Sequence, residues 1–123
     1  MKKDIETRDD IRLIVTQFYE KLLQDKTMRP FFAEVVKKGL KEHFDILVDF
    51  WDTIIFYSGT YQRNAMAKHI EINQNISMHK DHFNSWLTYF NETVDENFKG
   101  KNSFIAKTRA LSIATVMQIK ILK

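Results

Sequence analysis

The chain reads as an all-α protein, a compact bundle of helices with no sheet, and three observations say so. Only three glycines and one proline interrupt 123 residues, far too few for the many tight turns that a sheet requires. Apolar residues recur at three- and four-residue intervals in every strongly patterned segment, the signature of one buried helix face. The hydrophobic fraction is 44% and the charged fraction 28%, enough to build one core without disulfides or a structural metal. One domain over 1–123 is expected.

The first helix is expected over 8–25, where Ile11, Ile14, Val15, Phe18, Tyr19, Leu22 and Leu23 form a broad apolar face. Thr7 and Asp10 stand at capping-box spacing before it. Tyr19 falls within the face, so its hydroxyl should point inward. Pro30 suits the first turn of a short helix carrying Phe31, Phe32, Val35 and Val36, with Gly39 as its terminator. A further helix follows over about 40–57. There Leu40, His43, Leu47, Phe50, Trp51 and Ile54 share one face, and Phe44, Val48 and Ile55 widen it.

Gly59 should end that helix, and 58–64 read as a loop leading into a short helix with Met66, His69 and Ile70. After a polar connection at 73–77, a long helix over about 78–98 lines up Phe83, Trp86, Leu87, Phe90, Val94 and Phe98. Gly100 closes it. The last helix, about 103–121, uses Phe104, Ile105, Ala110, Leu111, Ala114, Met117 and Ile121 as its apolar set. No repeat, low-complexity tract or linker divides the chain.

Composition removes several function classes. The net charge is +3, yet Lys37, Lys38 and Lys41 form the sole tight basic group, and acidic residues lie between the other cations. A mixed surface of this kind does not read as a nucleic-acid-binding stripe. With no cysteine, disulfide, thiolate and Cys-zinc chemistry is unavailable, which suits a reducing cytoplasm. No stretch approaches the ~20 apolar residues of a membrane span, and the N-terminal residues carry charge where a signal peptide carries apolar side chains. A soluble cytoplasmic protein is expected.

His79 and His82 stand three residues apart at a helix start. A closed zinc site needs about four ligands, and none completes this pair, so they read as helix-surface histidines. No phosphate loop, nucleophile elbow or HExxH helix is present, and the carboxylates fall on polar faces, so hydrolytic chemistry has no foothold.

His43 and His69 differ from these, since both lie among apolar and aromatic positions. An inward imidazole needs a hydrogen bond or a metal, and Tyr19 and Trp86 point toward the same interior. Two readings follow from the residues alone: satisfied core histidines, or ligands to an iron or cofactor bound in an aromatic pocket.

Nearly the whole chain, roughly 4–118, resembles a truncated haemoglobin, and most closely the third group of that family. The resemblance is carried by Phe18-Tyr19-Glu20-Lys21, Pro30-Phe31-Phe32, His43 with Phe50-Trp51, and Gly59-Thr60-Tyr61. It continues through Asn64-Ala65-Met66-Ala67-Lys68-His69, Phe83-Asn84-Ser85-Trp86-Leu87 and Thr93-Val94-Asp95-Glu96. Each piece is weak, but their order and spacing together are specific. The absence of any Gly-Gly pair agrees with the third group.

The resemblance implies a globin-like fold, a truncated two-over-two helical sandwich around a b-type haem with its iron. It implies His69 as the proximal iron ligand, and Tyr19, His43 and Trp86 as polar groups facing a bound diatomic ligand. Phe18, Phe44, Leu47, Trp51, Met66 and Phe90 are the implied apolar haem contacts. The family often has glycine and proline flanking the asparagine between Tyr61 and Met66. Arg63 and Ala65 stand there instead, which relaxes the backbone constraint on entry to the proximal helix.

The expected function is reversible binding of O2 or another diatomic gas such as NO or CO. The alternative is NO dioxygenation or peroxidase-like turnover at the same iron with an external reductase. A haem-free helical interaction module is a third reading.

Overall fold

A computed structural model describes residues 2–57 and 79–121, apart from the side chains of Glu34, Lys120 and Ile121. All regular structure among the described residues is helical, and no described helix is long and apolar enough to cross a membrane. The elements are α1 (Arg8–Gln24), a 3-10 turn (Arg29–Phe32), α2 (Ala33–Lys38), α3 (Leu40–Phe56), α4 (Lys80–Asn97) and α5 (Lys101–Ile121). Helix α1 packs on α3 and α4 packs on α5. The two pairs meet along α1–α4 and α3–α5. This is a two-over-two arrangement with the aromatic core between the layers.

The expected capping box starts α1. The Thr7 hydroxyl accepts from the Asp10 N–H at 3.2 Å, and the Asp10 carboxylate accepts from the Thr7 N–H at 3.1 Å. Four orphan N–H groups at a helix start need such acceptors. Ile11, Ile14, Val15, Phe18, Tyr19 and Leu22 are buried along one face, as the periodicity predicts. The short segment after Pro30 divides into a 3-10 turn and α2. Gly39 ends α2 at φ +116°, a backbone region that favours glycine.

Helix α3 departs from expectation in its orientation. Its fully buried residues are Val48, Trp51, Asp52 and Ile55, whereas Leu40, His43, Phe44, Leu47, Phe50 and Ile54 are only half-buried. Helical periodicity identifies an apolar sector but not which edge of a wide sector meets the core. The buried Asp52 also corrects the placement of carboxylates on polar faces. Arg8 reaches across from α1 to pair with both Asp49 and Asp52, and Arg12 pairs with Asp45 one turn along.

Helix α5 shows the largest departure. Ser103, Ala106, Ala110, Ala114 and Met117 face the core, while Phe104 and Leu111 point to solvent. Small residues at a four-residue repeat let α5 approach its neighbours closely, and the larger side chains are left on the opposite face.

The charged N-terminal residues are built into the fold. Ile5 is fully buried, and the Lys99 N–H donates to the Lys3 carbonyl at 2.9 Å. Asp4 caps α5 from about 98 positions away, accepting from the N–H groups of Asn102 at 2.7 Å and Ser103 at 2.8 Å. Burial pushes the Asp4 carboxyl up, but the hydrogen bonds from Asn102, Ser103 and Ile5 outweigh it and hold it below its ordinary 3.8. A carboxylate with a depressed value stabilises the fold above its unfolded pKa, and that contribution is lost as pH falls through the folded one.

Asp4→Ala should therefore cost about 1–2 kcal/mol at neutral pH, as for loss of a helix cap, and the difference from wild type should shrink below pH ~4. Urea unfolding at two pH values checks this. Gly100 leaves room for the same carboxylate, because a Cβ there would lie 2.6 Å from Asp4 Cγ at φ +149°. Gly100→Ala is expected to lower stability by roughly 1–3 kcal/mol through backbone strain and displacement of Asp4, measured in the same way.

Candidate functional site

Tyr19 stands at the centre of the interior because α1 turns its apolar face onto both α3 and α4. Its hydroxyl lies 2.6 Å from His43 Nε2. Burial pushes the phenol well above its ordinary value of 10.0, so it remains protonated. With the imidazole proton on Nδ1, the Tyr19 hydroxyl donates to Nε2. A neutral phenol and an imidazole thus share one polar point inside an otherwise aromatic region.

Aromatic edges enclose that point. Phe18, Phe32 and Phe44 stand edge-on to the Tyr19 ring, with centroids 5.8, 5.4 and 5.3 Å away. Phe18 also meets Trp86 and Phe90 edge-on at 5.6 and 5.4 Å, and so links the tyrosine to helix α4. Phe90 stacks with two indoles, Trp51 at 4.8 Å and Trp86 at 6.1 Å. Such edge-to-face and offset arrangements place positive ring edges against negative faces and hold each ring at a set angle.

Of the sequence-derived site residues, Tyr19 and His43 are brought into direct contact, and Trp86 joins them through Phe18. Trp51 and Phe90 are buried in the same cluster, while Phe44 and Leu47 border it half-buried. His69 and Met66 lie outside the described residues. Phe32 was legible as apolar but not as a neighbour of Tyr19, since only the 3-10 turn swings it onto that ring.

His79 and His82 act together at the start of α4. The His82 Nδ1 accepts from the His79 N–H at 2.8 Å, and the His82 ring stands against Phe31 with centroids 4.6 Å apart. Burial, with the nearby His79 charge, pulls His82 below its ordinary 6.5. Among the described residues no group of three His, Asp or Glu side chains is placed to hold a metal. On the far side of α1 and α4, an open cleft lined by Lys21, Gln24, Asp25, Tyr89, Glu92 and Glu96 is polar and separate from the aromatic cluster.

No protein-family model matches the chain. It is 25% identical over 121 residues to the group 3 truncated hemoglobin ctb of Campylobacter jejuni, covering 96% of this chain and 93% of that protein. The crystal structure of the group III truncated hemoglobin from Campylobacter jejuni superposes with a TM-score of 0.85 at 24% identity, covering 98% of this chain and 95% of the other. The fold is that of a truncated haemoglobin. Both similarities span almost the whole chain. In that fold the Tyr19–His43 pair joins α1 to α3.

Proposed function

We propose that this chain is a haem protein that reversibly binds O2 or another diatomic ligand, with His69 as the iron ligand. The observation that carries the reading is the Tyr19–His43 pair, a protonated phenol 2.6 Å from an imidazole within an aromatic enclosure. Similarity to a group 3 truncated hemoglobin supports it independently.

The residues present fit a b-type haem. Phe44 and Leu47 on α3 are large apolar side chains left half-buried beside the deeper Trp51 and Phe90, and a flat macrocycle fits against surfaces of that kind. When bound, haem supplies an iron atom that takes up diatomic gases. Tyr19 presents a hydroxyl donor that burial keeps protonated. With its proton on Nε2, His43 either donates to the Tyr19 oxygen and leaves the phenol proton for the ligand, or offers that N–H to the ligand itself. Trp86 would add an indole N–H from α4. Donors fixed in a low-dielectric enclosure stabilise partial negative charge on a polarised ligand without reorganising. The phenylalanines around them exclude water that would compete for the same hydrogen bonds.

Three polar groups facing one ligand favour tight retention, which suits ligand-linked redox chemistry such as NO dioxygenation or peroxidase-like turnover with an external reductase. Steady-state NO consumption with a supplied reductant distinguishes that role from simple binding.

The primary test is the visible spectrum of the purified protein after expression with haem. A strong Soret band is expected, and His69→Ala should abolish normal iron coordination and weaken haem retention. An alanine variant with wild-type coordination and affinity would refute the assignment of His69. The absence of haem uptake by the wild-type chain would refute the function as a whole.

A further inference from the structure

The angle at which the Tyr19 phenol leaves α1 is set by rings from α1, α3 and the 3-10 turn. Phe18 adjoins it on α1, His43 and Phe44 meet it from α3, and Phe32 stands edge-on to it from the turn. Phe18 moves with α1 itself, and His43 and Phe44 are only half-buried. Phe32 is buried and belongs to a separate segment. In a close-packed interior a ring turns only when its neighbours give way, so the seating of Phe32 bears directly on where the Tyr19 hydroxyl points.

Helix α4 braces the segment that carries Phe32 at both ends. At its start, Asp25 Oδ1 accepts from the N–H groups of Thr27 at 2.8 Å and Met28 at 3.3 Å, which closes the turn after α1. The other carboxylate oxygen, Oδ2, accepts from the Tyr89 hydroxyl at 2.5 Å. One side chain therefore organises the turn and ties it to another helix. At the far end, the Phe31 ring stands against His82 with centroids 4.6 Å apart. His82 and Tyr89 are two helical turns apart, so they share one stripe of α4 about 10 Å long.

The tie at Asp25 is a strong one. A hydroxyl that donates to an ionised carboxylate makes a shorter and stronger bond than a neutral pair does. The Tyr89 hydrogen bond holds the Asp25 carboxyl below its ordinary 3.8, with help from the turn N–H groups and from His82, so the acceptor is charged at neutral pH.

We propose that Tyr89 is a positioning residue for the Tyr19 hydroxyl: its bond to Asp25 fixes the turn after α1, and that turn seats Phe32 against the Tyr19 ring. Tyr89 lines the polar cleft outside the aromatic cluster, and it acts on a bound ligand only through Tyr19. The inference rests on the ligand-binding role proposed above.

Tyr89→Phe deletes the hydroxyl and keeps the ring. In the haem-loaded protein it should speed O2 release roughly two- to fivefold, a coupling of the size seen between residues that share contacts. In a Tyr19→Phe background it should add nothing, because the group it positions is gone. Phe32→Leu should speed release to a similar degree, and Y89F should add little to it. Equal acceleration by Y89F with and without the Tyr19 hydroxyl overturns the proposal, as does an unchanged release rate.

A second readout does not depend on the ligand. The ζ-carbon resonance of Tyr19 in tyrosine-labelled protein reports the hydrogen bond of its phenol to His43, and it should shift in Y89F and in F32L. It is read with or without haem. A wild-type chain that takes up no haem refutes the function, whereas a Tyr19 resonance unmoved in Y89F refutes the positioning role alone.

Discussion

Replacing Tyr19 with phenylalanine is expected to speed O2 release about ten- to a hundredfold. The substitution keeps the ring and its edge contacts with Phe18, Phe32 and Phe44, so packing changes little. It removes the hydroxyl that lies 2.6 Å from His43 Nε2. A hydrogen bond to a group bearing charge contributes roughly 1.5–3 kcal/mol, and each ~1.4 kcal/mol is a factor of ten in rate or equilibrium. Stopped-flow displacement of O2 by CO measures the release rate directly. Burial keeps the Tyr19 phenol above its ordinary 10.0, so the wild-type rate should not follow ionisation of this phenol at neutral pH. An unchanged rate in Tyr19→Phe would remove the phenol from the ligand's environment and transfer the polar role to His43 or Trp86.

Phe90→Ala should be the most damaging single core change, with a cost of about 3–5 kcal/mol. Phe90 is 1% exposed, and its ring stacks with the indoles of Trp51 and Trp86 and stands edge-on to Phe18. Truncation removes the buried surface and leaves a cavity among three large rings, which cannot collapse without turning at least one of them. That loss is a large share of the 5–15 kcal/mol typical of a folded domain. Urea unfolding should show a midpoint well below wild type. Phe90→Leu should recover most of the stability and less of the ring geometry, so tryptophan emission should stay shifted in both variants. A cost under about 1 kcal/mol would show that the aromatic stack is not the core of the molecule.

The two variants probe different properties of one cluster. Tyr19 contributes chemistry at little structural cost, and Phe90 contributes the scaffold that holds the indoles in place. His82 completes the frame at the start of α4. With its value pulled below 6.5, it stabilises the fold as the neutral ring, and that stabilisation fades as pH falls through the depressed value.

Much of this was legible before any tertiary contact was known. Thr7 and Asp10 marked the start of α1, and the 3.6-residue period identified the buried face holding Phe18 and Tyr19. Trp86 and Phe90 stood one turn apart on the buried face of α4. Other features left no local trace. Asp4 caps a helix almost a hundred residues away, and Asp52 is buried because Arg8 arrives from another helix. Phe104 and Leu111 read as core residues by hydrophobicity, yet α5 turns its alanines inward and leaves these two exposed. The expected placement of His69 and Met66 falls outside the described residues.

Sequence alone determined the helical class, most of the helix limits and the residue types available for chemistry. Those follow from periodicity, capping and turn propensity, which act over a few neighbouring positions. Tertiary structure decided which sector of α3 and α5 met the core, and it set the Tyr19 hydroxyl against the His43 imidazole. The rotation of a helix about its axis depends on the surfaces packed against it. Here a row of small alanines allowed a closer approach than a row of larger side chains, and close packing prevailed over local hydrophobicity.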